Sequence, residues 1–122
     1  MTVRCRGFVA AAVLAFAAAF AAAGCGPGTS GGTPVPTTTV DLPASYRFAP
    51  ADIVVPVGAT VTWTNHDNFT HSVQFLEGAQ GPTMVMKPTE SATYTFATTG
   101  TVRYECSFHP QQMKGTVTVK AP

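Results

Sequence analysis

From about Val40 onward the chain is written in short alternating runs separated by turn-forming residues. Thr60-Val61-Thr62-Trp63-Thr64 places Val61 and Trp63 on one face and hydroxyl side chains on the other, the period-2 pattern of a half-buried strand. Ser72-Val73-Gln74-Phe75 repeats the pattern after an Asn/Asp-rich loop, and Thr93-Tyr94-Thr95-Phe96 sends both aromatics inward. Gly100 opens the run from Thr101 to Cys106, in which Val102, Tyr104 and Cys106 share a side. Ile53-Val54-Val55, held between Pro50 and Pro56, is a short apolar run that Val57-Gly58 turns into the next strand. Gly115 to Lys120 closes the series. After the N-terminal apolar segment, no stretch repeats apolar residues at helical spacing over the length a helix needs. Short strands with turn residues between them predict an all-β fold, a two-sheet β-sandwich.

Trp63, Tyr94, Phe96 and Tyr104 are the expected large core members, with packing as the role of each. A domain of about eighty residues with no disulfide is small, so its core has to be well packed.

The N-terminal third obeys different rules. Met1 to Gly7 carries Arg4 and Arg6, and Phe8 to Ala23 is an apolar, alanine-rich run that ends in small residues. Charged start, short apolar middle and small-residue end mark a secretory signal. The run falls short of the roughly 20 residues that span a bilayer comfortably. Its arginines flank Cys5 rather than adjoin, which fits general export better than a twin-arginine route. The segment Ala22-Ala23-Gly24-Cys25 resembles a bacterial lipobox, in which the cysteine is acylated and cleavage precedes it. Ala23 and Gly24 match that pattern, while Ala22 stands where leucine is usual. The expectation is a lipoprotein-type signal peptide over 1–24 and membrane anchoring by acylated Cys25. Ordinary cleavage nearby and an uncleaved helical anchor are the alternatives, and all three put the domain outside the cytoplasm. That means the periplasm or the outer face of the cell membrane.

Residues 25–39 are mostly Gly, Pro, Thr and Ser and bury too little apolar surface to offset their ordering entropy. They are expected to form a flexible tether ahead of a domain at 40–122.

Charge narrows the partners only slightly. Taking Arg4 and Arg6 from the seven basic residues leaves five against six acidic ones, a formal charge of −1. With no basic stripe, nucleic acid is not expected as a ligand. Cysteine usage is more informative. Cys5 leaves with the signal and Cys25 is spent on acylation, so Cys106 is the one remaining thiol. A lone thiol in an oxidising compartment asks for a reason, and metal ligation is one. An inert buried cysteine is the ordinary alternative, weakened here because His109 lies three residues on.

Cys106, His109 and Met113 form Cys-x2-His-x3-Met, a thiol, an imidazole and a thioether in one loop. Soft sulfur donors with imidazole favour copper over calcium or magnesium. A blue-copper centre needs two histidines and a cysteine in a plane with a weak axial methionine, so one histidine must come from elsewhere. His66 and His71 are the candidates. His71 shares parity with Val73 and Phe75 and is held by a strand, whereas His66 lies in a polar loop. A rigid element positions a ligand better, which selects His71.

Two segments then carry a family resemblance. Tyr46 to Phe75 contains Pro50, Gly58, Val61-Thr62-Trp63-Thr64-Asn65 and His71-Ser72-Val73, and Tyr104 to Val119 contains Cys106, His109, Pro110, Met113 and Gly115-Thr116-Val117. Together they resemble the cupredoxins, the type 1 blue copper family of plastocyanin, amicyanin and pseudoazurin. The resemblance implies a Greek-key sandwich, one copper held by His71, Cys106, His109 and Met113, and one-electron transfer rather than enzyme activity. It also implies that His109 is the electron's exit. The implied partners are a redox protein donor and acceptor in transient contact near His109, with a monomeric chain.

Three positions depart from the family pattern. Met113 follows His109 at a spacing between amicyanin's shorter loop and plastocyanin's longer one, so a reduction potential is not transferable. Ser72 replaces the asparagine that in many members braces the cysteine loop, although its backbone N–H remains available to the thiolate. Glu105 stands where plastocyanin has a surface tyrosine, which removes the ground for assigning plastocyanin's own partners.

Phe108 and Pro110 beside His109 read either as an apolar docking patch or, for Phe108, as a cover over the metal. Met84 and Met86 read as packing, or as thioethers for Cu(I) in a copper carrier or storage protein, the main alternative to a shuttle. A cysteine hydrolase would need an oxyanion loop and a cleft, and structural zinc would need more Cys or His.

Overall fold

The structure is a computed structural model and describes residues 32–77 and 81–122. The signal-like segment, Cys25 and the first residues of the expected tether lie outside the described residues. Among the described residues there are nine strands and no helix: β1 (Val35–Pro36), β2 (Thr39–Leu42), β3 (Asp52–Pro56), β4 (Thr60–Asn65), β5 (His71–Phe75), β6 (Met84–Met86), β7 (Ser91–Thr95), β8 (Gly100–Glu105) and β9 (Lys114–Lys120). They make a six-stranded sheet in the order β1-β3-β9-β8-β5-β6 and a three-stranded sheet in the order β2-β4-β7. The two-sheet sandwich expected from the alternation is the observed fold.

The inner faces supply the core. Val61 and Trp63 of β4, Val102 and Tyr104 of β8, and Val117 and Val119 of β9 are all buried, each separated from the next by an outward residue. Trp63 meets Tyr104 edge-on at 5.6 Å between ring centroids, and Phe48 meets Tyr104 at 4.8 Å. Such edge-to-face pairs add about 0.5–1.5 kcal/mol each beyond their area burial. On the outer face of the smaller sheet, Thr60 bonds Thr95 at 2.7 Å and Thr64 bonds Ser91 at 2.9 Å across strands. Gly58, at φ 86, supplies the left-handed backbone that the turn between β3 and β4 requires.

Two features differ from the sequence expectation. Strand pairing begins at Val35, ahead of the Val40 boundary: β1 pairs in parallel with β3, and Thr39 opens β2 opposite Thr62. A Thr/Pro-rich stretch looks like a linker in composition, yet threonine suits a strand and Pro36 is tolerated at a sheet edge. Tyr94 is only partly buried, because β7 is the edge of the smaller sheet, whereas Trp63, Phe96 and Tyr104 are buried as expected.

The topology gathers several strand ends at one end of the sandwich. β5 begins with His71, β8 ends just before Cys106, and β9 begins just after Met113. β3 runs parallel to β9 and β1 parallel to β3, so both leave that same end. Traced backwards from Val35, the chain therefore heads toward it.

Candidate metal centre

Strand pairing brings the donors together. His71 and Cys106 are 35 residues apart in sequence, yet β5 pairs with β8 through Gln74 opposite Glu105 and Phe75 opposite Tyr104. Cys106 continues the buried side of Val102 and Tyr104, so its thiol turns inward just past the strand. Cys106 Sγ lies 3.8 Å from His71 Nδ1 and 3.7 Å from His109 Nδ1. The three donor atoms lie within 4.8 Å of one another. His71 and Cys106 are fully buried, and His109 is half-buried.

The Cys106 loop is a set of backbone turns. Cys106 N–H donates to Met113 O at 3.0 Å, His109 N–H to Cys106 O at 3.1 Å, and Met113 N–H to His109 O at 3.0 Å. These bonds close the loop on itself and hold Met113, fully buried, at its base. His66, the other candidate, is exposed on the loop after β4 and lies 3.2 Å from Asp41. The structure therefore brings together His71, Cys106, His109 and the Met113 loop, and leaves His66 apart.

The donor set fits a metal ion. Ligands about 2.0–2.3 Å from a first-row ion in a trigonal plane sit roughly 3.5–4 Å apart, close to the two measured sulfur–nitrogen separations. Two imidazoles, a thiol and a nearby thioether are the set that copper prefers.

Ser72 takes the place of the missing asparagine brace. Its N–H points at Cys106 Sγ at 3.4 Å, while its Oγ accepts from Ser107 N–H at 2.8 Å and pairs with Ser107 Oγ at 2.7 Å. A shorter side chain thus ties β5 to the cysteine loop through Ser107.

Sequence reasoning missed three contributors. Asp67 is buried, and its Oδ2 lies 2.9 Å from His71 Nε2, the ring nitrogen remote from Cys106. That hydrogen bond, partly opposed by desolvation, holds the Asp67 carboxyl below its ordinary range. Asn65 Oδ1 accepts from Asp67 N–H at 2.9 Å, and its Nδ2 donates to Phe69 O at 2.7 Å and Met86 O at 3.1 Å, so one side chain shapes the whole loop. The Asp67-x3-His71 spacing was the visible signal for the first. Tyr46 is the third: its ring lies 4.5 Å from that of His109, 5.9 Å from His71 and 5.5 Å from Phe69. Positive φ at Ser45 (88°) and Tyr46 (53°) aims it there, and nothing in the local sequence announces that backbone.

Phe108 is 53% exposed and Phe69 54%, so both present apolar ring surface to solvent. Met86 is buried in the core opposite His71 in register, and Met84 is partly buried against the core, so both act in packing.

A family model described as copper binding proteins, plastocyanin/azurin family, matches residues 37–120. The chain is 35% identical over 81 residues to amicyanin from Paracoccus denitrificans, covering 63% of this chain and 61% of that protein, less than two thirds of its length. It is 36% identical over 84 residues to plastocyanin from Scenedesmus fuscus, covering 60% of this chain and 86% of that one. Among solved structures it is similar to a purple cupredoxin from Nitrosopumilus maritimus, with 29% identity and a TM-score of 0.62 over 69% of this chain and 100% of the other. An amicyanin variant in its Cu(I) state is similar too, with 35% identity and a TM-score of 0.61 over 67% of this chain and 80% of the other.

Proposed function

The chain belongs to the plastocyanin/azurin family of copper-binding proteins, and from that premise we propose that it is an exported type 1 copper protein carrying single electrons between redox proteins. The observation that carries this reading is the cluster of His71, Cys106 and His109 donors within 4.8 Å of one another, with His71 and Cys106 buried, in the loop that Met113 closes. These four residues would hold the copper. Copper in such a site supplies one-electron chemistry, alternating between Cu(II) and Cu(I).

The protein's own residues do the rest. Asp67 accepts from His71 Nε2–H, which fixes the ring's tautomer and leaves Nδ1 as the donor. Ser72 N–H and the Ser72–Ser107 pair hold Cys106 Sγ in place. Burial of His71, Cys106 and Met113 excludes water, and donors mounted on two paired strands change little when charge changes. His109, half-buried against Tyr46, offers the electron its way out. Weak, transient docking there suits a carrier that must release each partner.

Export and anchoring rest on the sequence: a signal peptide over 1–24 and acylation of Cys25 would place the domain on the outer face of the membrane or in the periplasm.

Adding Cu(II) to the purified protein should give an intense blue or violet thiolate-to-copper absorption that reversible redox cycling bleaches and restores. Cys106→Ala should remove the band. A colourless product, or a band that survives that substitution, overturns the assignment.

A further inference from the structure

A serine hydroxyl has one hydrogen to give and two lone pairs that accept. For Ser72 the possible partners are few. Its side chain is fully buried, and its Oγ accepts from Ser107 N–H at 2.8 Å. Two further neighbours are in reach, Ser107 Oγ at 2.7 Å and Cys106 Sγ at 3.8 Å. Among the described residues no other polar group bonds to that oxygen.

The Ser72 hydrogen therefore has two acceptors, and which one it takes sets the direction of the whole chain. Aimed at Ser107 Oγ, it leaves the sulfur with the Ser72 backbone N–H, 3.4 Å away, as its donor from β5. Aimed at Cys106 Sγ, it frees the second Ser72 lone pair for the Ser107 O–H. Both hydroxyls then point toward the sulfur, and the rear one polarises the front one.

Burial and charge favour the second arrangement. Ser107 is exposed, so solvent serves its oxygen whichever way it turns, whereas Ser72 sees only Ser107 and the sulfur. A cysteine that ligates a metal is a thiolate, and an ionised acceptor draws a hydrogen bond more strongly than a neutral hydroxyl does.

We infer that, with metal bound, Ser107 and Ser72 form a hydroxyl relay that ends on the Cys106 thiolate and raises the reduction potential of the centre. The inference rests on the type 1 copper reading and deepens it by naming two residues that tune the metal. Hydrogen bonding around the cysteine sulfur is one lever on the potential of such a centre. A donor there withdraws charge from the sulfur, so less reaches the metal and Cu(I) is favoured.

A typical hydrogen bond shifts an equilibrium roughly three- to tenfold. Ser72→Ala should lower the preference for Cu(I) over Cu(II) by that factor, about 30–60 mV for a one-electron couple. It should also move the thiolate-to-copper band to lower energy. Ser107→Ala removes only the rear hydroxyl, so the potential should fall by less. Ser72→Thr keeps the donor and should recover most of the loss.

Deuterium separates the relay from a brace that acts only by position. Hydroxyl hydrogens exchange during mixing, while a buried strand N–H exchanges slowly. On transfer to D2O, the metal–sulfur stretch in resonance Raman should shift at once in the wild type, in Ser72→Thr and in Ser107→Ala, and shift less in Ser72→Ala. An equal prompt shift with and without the Ser72 hydroxyl, or none in the wild type, overturns the inference. The same measurement on Co(II)-loaded protein needs no redox cycling. A copper centre that fails to colour or cycle counts against the shuttle alone, and a Co(II)–sulfur stretch blind to the Ser72 hydroxyl counts against the relay alone.

Discussion

Asp67 has no metal-donor role in the cluster, yet it determines which nitrogen of His71 faces Cys106. Losing a partner of this kind usually weakens metal affinity about 10- to 100-fold. Asp67→Asn keeps the shape while removing the charge, so it should retain the absorption band and surrender copper to a competing chelator at correspondingly lower chelator concentration. Tyr46 works by contact. Its ring rests on His109 and Phe69, and Tyr46→Ala should cost about 1–2 kcal/mol in denaturant unfolding of the copper-loaded protein, given its partial burial. Tyr46→Phe should recover most of that loss, because Tyr46 makes its contacts through the ring. Tyr46 was not legible in the sequence, and Asp67 was signalled only by its spacing from His71. Tyr46 reaches His109 only because two successive residues adopt left-handed backbone, and Asp67 looked like one more polar residue in a polar loop.

At the scale of elements, the alternation in β4, β8 and β9 was readable because each presents one face to the core, where a one-residue slip would invert every side chain. The same parity placed Cys106 inward and separated His71 from His66. It could not reveal Ser72, which is buried on the supposedly outward side of β5 because the cysteine loop folds over it. Ser72→Ala would leave Ser107 N–H without its acceptor, and should cost about 1–3 kcal/mol in unfolding free energy and shift the thiolate-to-copper band. β9 carries a comparable constraint. Tyr104 Oη donates to Ala51 O at 2.8 Å directly over Gly115, so a Cβ there would collide with both groups. Gly115→Ala should destabilise by about 1–3 kcal/mol, the range for overpacking, as measured by chemical denaturation. The loss should be as large without copper as with it, because the clash lies in the framework.

For the whole molecule, the core is built from both sheets and the donor cluster sits at one end of it, so the sandwich should outlast its metal. Removing copper with a chelator should leave the strand signature in circular dichroism intact and lower the melting temperature. The stability lost is the mass-action contribution, about 2.7 kcal/mol when free copper stands at 100 times its dissociation constant. The length of the folded unit was the least legible global property, since β1 and the residues that lead to β2 at Thr39 share the Thr- and Pro-rich composition of the expected tether.

The direction of β1 has a consequence of another kind. It leaves the metal-bearing end in parallel with β3, so its first residue, Val35, stands at the end of the sandwich that holds His109. Ten residue steps separate Val35 from the proposed attachment at Cys25, a leash of at most about 33–36 Å at full stretch. With Cys25 acylated, as proposed, a domain on so short a leash would sample only a thin shell above the lipid. Its search for partners on the same membrane would then become two-dimensional.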